Sequence, residues 1–214
     1  MNYSFRKKNK TVKYIIIHYT GMKTLKSAYS KLHNIKSNVS AHYLISRSGY
    51  IFNLLCPGIQ AWHAGKSQWR NDKNLNCNSI GIELENKGHE YGYNFFTNHQ
   101  YTSLKKLIVF LSRNFYIKDE NIIFHSDISP NRKKDPGEKF FIKRIGIERF
   151  KKNIQKKNKY TINEMLKIYG FSNYYIKKYN LYCIESVKRA LNYKKINSNK
   201  NKQFKIDFYN LLFQ

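Results

Sequence analysis

The chain has 214 residues, with 40 Lys or Arg against 13 Asp or Glu, a formal charge of +27. That length supports one buried core of about 150 residues with a smaller appendage, so no disulfide or zinc knuckle is needed to hold it together. So large a surplus attracts polyanions, yet the lysines are scattered among Asn, Ile and Tyr rather than gathered into a stripe with interleaved aromatics, which argues against a specific nucleic-acid module.

A basic arm leads into residues 12–17, a short β-branched and aromatic run that predicts a buried strand with His18 at its C-terminal end. Leu25, Ala28, Tyr29 and Leu32 recur at helical spacing and predict a helix over residues 24–34. Residues 39–46 and 50–55 read as a β-hairpin turned at Gly49, with Ser40, His42 and Leu44 on one face. Cys56-Pro57-Gly58 ends the second strand, and Ala61-Trp62-His63-Ala64-Gly65 follows as a compact aromatic loop. Residues 79–85 predict a strand with Ile80, Ile82 and Leu84 on one face and Gly81, Glu83 and Glu85 on the other. An acid on one side of a buried strand is costly unless something there uses it.

Tyr101, Leu104, Ile108, Leu111 and Phe115 mark one face of a helix over residues 98–114, and residues 122–124 predict a strand that delivers His125. The loop from His125 to Gly137 carries two acids, a basic cluster and two prolines that fix its path. A helix is predicted over residues 140–150, then a lysine-rich linker over residues 151–159 with almost nothing to bury. Thr161 and Glu164 have capping-box spacing, and further helices are predicted over residues 184–192 and 207–213. The expected organisation is a main α/β domain over residues 1–150, the linker, and a small all-α unit over residues 160–214.

Cys56, Cys77 and Cys183 show no C-x-x-C spacing, which speaks against a disulfide framework and mildly for a reducing compartment. The sequence shows no signal-peptide pattern and no apolar run of membrane-spanning length. The expectation is therefore a cytoplasmic monomer with no transmembrane segment, the cell envelope being the alternative location.

His18, His125 and Asp135 stand at strand ends or just beyond, and two imidazoles with one carboxylate leave a fourth tetrahedral position of Zn²⁺ open for water. Such a centre suits hydrolysis of amides or esters. Glu83, directed to one side of a central strand, is the candidate general base, and Lys133 the candidate partner for an oxyanion. His42 and His63 can join or replace the ligand set, with structure or substrate contact the preferred reading of both. Trp62 is either core or a sugar-stacking platform. His33, His89 and His99 show no partner pattern and are read as surface residues, and Asp127 as structural.

The ordered segments Ile15-Ile16-Ile17-His18-Tyr19-Thr20, Val39-Ser40-Ala41-His42-Tyr43, Ala61-Trp62-His63-Ala64-Gly65, Ser79-Ile80-Gly81-Ile82-Glu83-Leu84-Glu85 and His125-Ser126-Asp127-Ile128 through Arg132-Lys133-Lys134-Asp135-Pro136-Gly137 resemble the zinc-dependent N-acetylmuramoyl-L-alanine amidases of the amidase-2 (AmpD/AmiD-like) type, which share a fold with peptidoglycan recognition proteins. The resemblance covers residues 14–145. It implies a mixed sheet flanked by helices and one Zn²⁺ on His18, His125 and Asp135. It further implies Glu83, not Glu85, as the catalytic glutamate, Lys133 as the assisting lysine, and Trp62 and His63 near substrate. The implied reaction cleaves the amide between N-acetylmuramic acid and L-alanine in peptidoglycan or muropeptides. A protein that binds muropeptides without cutting them is the alternative. The short segment between His18 and Val39 and the added tail resemble the envelope branch of the family, whose tail binds peptidoglycan.

Overall fold

The computed structural model describes residues 2–8, 10–150, 160–193 and 201–213. Its strands are β1 (Tyr3–Phe5), β2 (Tyr14–Tyr19), β3 (Tyr43–Ile45), β4 (Ile51–Asn53), β5 (Ile59–Ala61), β6 (Gln68–Trp69), β7 (Asp72–Lys73), β8 (Ser79–Leu84) and β9 (Ile122–Phe124). Its α-helices are α1 (Leu25–His33), α2 (Asn98–Phe115), α3 (His125–Ile128), α4 (Ile162–Tyr169), α5 (Asn173–Lys178), α6 (Asn180–Ala190) and α7 (Asn201–Phe213). Five strands form the central mixed sheet in the order β4-β3-β8-β2-β9. Only the β3–β4 hairpin is antiparallel; β3, β8, β2 and β9 run parallel.

Alternation along the parallel strands sorts their side chains onto two faces. Ile15, Ile17, Ile80, Ile82, Leu84, Ile122 and Phe124 meet Tyr101, Leu104, Ile108 and Leu111 of α2 in one apolar cluster. Thr97 and Gln100 close a capping box at the start of α2, as Thr24 and Ser27 do at α1. On the opposite face, Tyr14, Ile16 and Ile123 are covered by Met165, Leu166, Tyr169, Phe171, Val187, Phe204 and Phe208 from the tail. The tail helices thus share a core with the sheet. Gly170 lies hard against the β6–β7 hairpin: a Cβ there would lie 2.3 Å from the indole of Trp69. At the β3 end, α1 lays Leu32 against Leu44.

The structure departs from the sequence expectations in several places. Residues 140–150 hold only a 3-10 turn over Ile142–Ile145, which Gly146 ends at φ 71° while Arg149 turns into the interior. The basic arm contains β1, which pairs antiparallel with β5 because Tyr3-Ser4-Phe5 alternates and Ser4 finds the indole N–H of Trp62 at 2.9 Å. Arg6 is inserted beneath it, donating to the carbonyls of Pro57, Asn76 and Ser79, and burial lowers its pKa to about 10. Finally, α5 was not anticipated. The expected linker over residues 151–159 lies outside the described residues. Among the described residues no helix is long and apolar enough to cross a membrane, and Cys56, Cys77 and Cys183 are free thiols.

Candidate active site

The tail packs on Tyr14, Ile16 and Ile123 of its face of the sheet. Above it, at the C-terminal ends of β2, β8 and β9, where parallel sheets place their ligands, a cleft of about 400 Å³ is lined by Tyr19, Trp62, His63, Glu83, Lys133 and Asp135 among others. Parallel pairing sets His18 of β2 directly beside Glu83 of β8, and β9 delivers His125 next to them. Asp135 returns to the same point at the end of its loop, where its carbonyl accepts from Ser126 N–H at 3.0 Å.

His18 Nδ1, His125 Nδ1 and Asp135 Oδ2 form a buried triangle with sides of 2.9, 3.1 and 3.0 Å. The protons of the two rings can be traced outward from fixed acceptors. Ser79 Oγ donates to the Leu75 carbonyl and so accepts from His63 Nε2 at 3.1 Å. His63 Nδ1 is then an acceptor and takes the Nε2 proton of His18 at 3.0 Å. His125 gives its Nε2 proton to the Ala64 carbonyl at 3.3 Å. In their neutral forms both rings therefore turn unprotonated Nδ1 atoms toward a carboxylate oxygen. Three acceptors so close repel one another unless a cation lies among them.

Burial, with the neighbouring His125 ring, lowers His18 to about 4, so it resists becoming that cation by protonation. Burial alone would raise Asp135, and positive charge at the His125 and His18 side of the triangle outweighs it and holds the carboxyl well below the usual range. The donor set and its spacing suit a metal ion: tetrahedral Zn²⁺ separates its ligands by about 3.3 Å, and outer hydrogen bonds of this kind are how metal-binding imidazoles are oriented.

Glu83 borders the triangle. Its Oε2 is buried without a hydrogen-bond partner among the described residues, an orphan that the cleft must satisfy from outside the protein. Burial and the charge of Asp135 push its pKa well above the ordinary carboxylate value, while Lys133 and Lys31 partly oppose them. Lys133 lines the same cleft.

His63 stands at the cleft wall, but its ring packs on Gly81, where a Cβ would lie 2.4 Å away, and both its nitrogens are engaged. It acts on His18 rather than on anything in the cleft. Trp62 lines the cleft half-buried, its indole N–H tied to Ser4.

His42, expected at the substrate, is fully buried and is not brought to the cleft: His63 lies between it and His18, with ring centroids 5.6 and 5.1 Å from them. His42 Nδ1 accepts from Gly81 N–H at 2.9 Å and Nε2 donates to the Ile59 carbonyl at 2.9 Å. His99 stays at the surface and His33 is half-buried against the Tyr29 ring, while His89 is half-buried and lines the cleft. Asp127 is structural. Its carboxylate, fully buried, accepts from Phe124 N–H, Arg149, Tyr169 and Ser186, joining the turn that carries His125 to the tail.

Residues 8–138 match the family described as N-acetylmuramoyl-L-alanine amidase. Over 141 residues the chain is 36% identical to the N-acetylmuramoyl-L-alanine amidase AmiD of Escherichia coli, covering 60% of this chain and 50% of that protein. Over 103 residues it is 41% identical to the 1,6-anhydro-N-acetylmuramyl-L-alanine amidase AmpD of Haemophilus influenzae, covering 48% and 54%. The chain spans about half the length of these curated relatives.

The solved structure of Escherichia coli AmiD with the substrate anhydro-N-acetylmuramic acid-L-Ala-D-gamma-Glu-L-Lys superposes with a TM-score of 0.71 at 26% identity, over 86% of this chain and 83% of that one. AmpDh3 of Pseudomonas aeruginosa shares the fold, with a TM-score of 0.76 at 24% identity over 96% and 94%. With the family match running through His18, Glu83, His125 and Asp135, the chain belongs to the N-acetylmuramoyl-L-alanine amidase family.

Proposed function

We propose that this chain hydrolyses the amide between N-acetylmuramic acid and L-alanine in peptidoglycan or its muropeptide fragments, with one Zn²⁺ held by His18, His125 and Asp135. The observation that carries this reading is the triangle of unprotonated acceptors with the partnerless Glu83 carboxylate beside it, in a cleft open to a ligand. The AmiD relative was solved with a substrate of this class.

When bound, the zinc supplies Lewis acidity to the scissile carbonyl and acidifies a water. Glu83, its basicity raised by burial, takes a proton from the attacking water and returns it to the alanine nitrogen as the C–N bond breaks. Lys133 presents positive charge to the carbonyl oxygen as it becomes negative. Trp62 offers the aromatic face for the sugar. His63 keeps His18 in the tautomer whose Nδ1 is free.

Digestion of purified sacculi and of soluble anhydro-muropeptides, followed by mass analysis, tests the proposal. The wild-type chain releases peptides with a free alanine amine. Chelation abolishes the release, Zn²⁺ restores it, and Glu83→Ala lowers it by about 10²- to 10⁴-fold. Undiminished muropeptide binding with no amine released would identify a binding protein instead.

A further inference from the structure

On another wall of the cleft, a second polar chain connects two of the ligand-bearing segments. Tyr19 directly follows His18, and its hydroxyl lies 2.8 Å from His89 Nδ1. His89 Nε2 lies 3.1 Å from Oε2 of Glu138, three residues beyond Asp135. A carboxylate only accepts, so Nε2 donates to it, and Nδ1 of the neutral ring takes the Tyr19 hydroxyl proton. Tyr93 stacks on His89 with centroids 4.4 Å apart, donates its hydroxyl to the Pro136 carbonyl at 2.6 Å and accepts from Lys139 N–H at 3.0 Å.

Two glycines leave room for this layer. A Cβ on Gly88 would stand 2.6 Å from the Tyr19 ring, and one on Gly137 would stand 2.6 Å from the Tyr93 hydroxyl and 2.9 Å from His89.

The arrangement matters because the three ligands are not equally supported. His63 and the Ala64 carbonyl orient the two imidazoles through their outer nitrogens. Among the described residues the side chains that reach the Asp135 carboxylate are those two rings, which turn unprotonated nitrogens to it, so no hydrogen-bond donor orients it. Its position therefore depends on its backbone, held upstream by Ser126 N–H and downstream by the Pro136–Lys139 segment that His89 and Tyr93 grip.

We propose that His89 is a positioning residue for the metal centre: bridging Tyr19 and Glu138, it fixes the strand end carrying His18 against the loop carrying Asp135 and so sets how tightly the triad holds its cation. This rests on the reading of the triad as a Zn²⁺ site. No contact between His89 and the metal is involved.

The test is the Kd for Zn²⁺ of the metal-stripped full chain, measured by competition with a chromophoric chelator. His89→Phe keeps an aromatic ring against Tyr93 but removes both bridges, and it raises Kd about tenfold or more, the usual cost of losing an outer-sphere partner. Tyr19→Phe deletes a single oxygen and raises Kd several-fold. The double variant is no weaker than His89→Phe alone, because both changes break one chain. His89→Gln recovers part of the affinity.

A Kd for His89→Phe within twofold of wild type overturns the proposal, as do effects that multiply in the double variant. Should His89→Phe fail to fold, Tyr19→Phe decides the question, and an unchanged Kd in that variant overturns it. Since Kd is read without substrate, a wild-type chain that binds Zn²⁺ but cleaves no amide sinks the proposed function and leaves this result standing.

Discussion

Asp127 and Asp135 lie eight residues apart in one loop, both buried, in opposite surroundings. Asp127 meets only donors: a backbone N–H, the Arg149 guanidinium at 2.7 Å, and the hydroxyls of Tyr169 and Ser186 at 3.0 and 3.1 Å. Asp135 meets two imidazole nitrogens whose protons point elsewhere. The first carboxylate is complete within the protein, while the second is complete only with an added cation. Buried charge therefore marks a site here only where the partners are missing.

The largest effect that separates the two is on chemistry. Asp135→Ala lowers muropeptide cleavage at least about 10³-fold, since metal assistance is worth several kcal/mol. It also leaves the metal-free protein at least as resistant to denaturant as wild type, because it removes one of three crowded acceptors. A large loss of metal-free stability in that variant would show that Asp135 is satisfied from within.

Asp127→Ala behaves the other way. It leaves the buried Arg149 charge without its carboxylate and costs about 3–5 kcal/mol in denaturant unfolding. Asp127→Ala with Arg149→Met is less destabilised than Asp127→Ala alone, as expected for the loss of an uncompensated charge. Equal destabilisation in both would assign the cost to lost packing.

A smaller effect concerns His42, an imidazole kept neutral by burial. Its pKa falls from 6.5 to about 4 in the folded state. Between those values the unfolded chain binds a proton that the folded chain refuses, so stability is lost as pH falls from about 6.5 to 4, by about 3 kcal/mol. His42→Asn keeps an acceptor for Gly81 N–H and removes that share of the acid sensitivity. Melting curves at pH 7 and pH 5 measure the difference, and an unchanged pH slope in the variant would show that His42 does not titrate in this way.

Much of the site was legible because local rules suffice for it. Period-two alternation in residues 79–85 separated Glu83 from Ile82 and Leu84, and the ends of two apolar runs located His18 and His125. Capping boxes at Thr161 and the periodicity of α2 carried over for the same reason.

What could not be read depends on contacts distant in sequence. Nothing local distinguishes Arg149, Tyr169 and Ser186 as partners of Asp127, and residues 140–150 looked helical because tertiary burial of Arg149 leaves no local pattern, although Gly146 is a local stop. His89 had no visible partner because Tyr19 and Glu138 lie 70 and 49 residues away. His42 alternated correctly yet missed the cleft, since His63 from another segment covers it.

The most direct test of the central claim is calorimetric titration of the metal-stripped wild-type chain with Zn²⁺, run in parallel with Asp135→Ala and Asp127→Asn. The geometry predicts one ion per chain in wild type, retained at the same stoichiometry in Asp127→Asn and lost in Asp135→Ala. Zn²⁺ bound by Asp135→Ala as tightly as by wild type would contradict it.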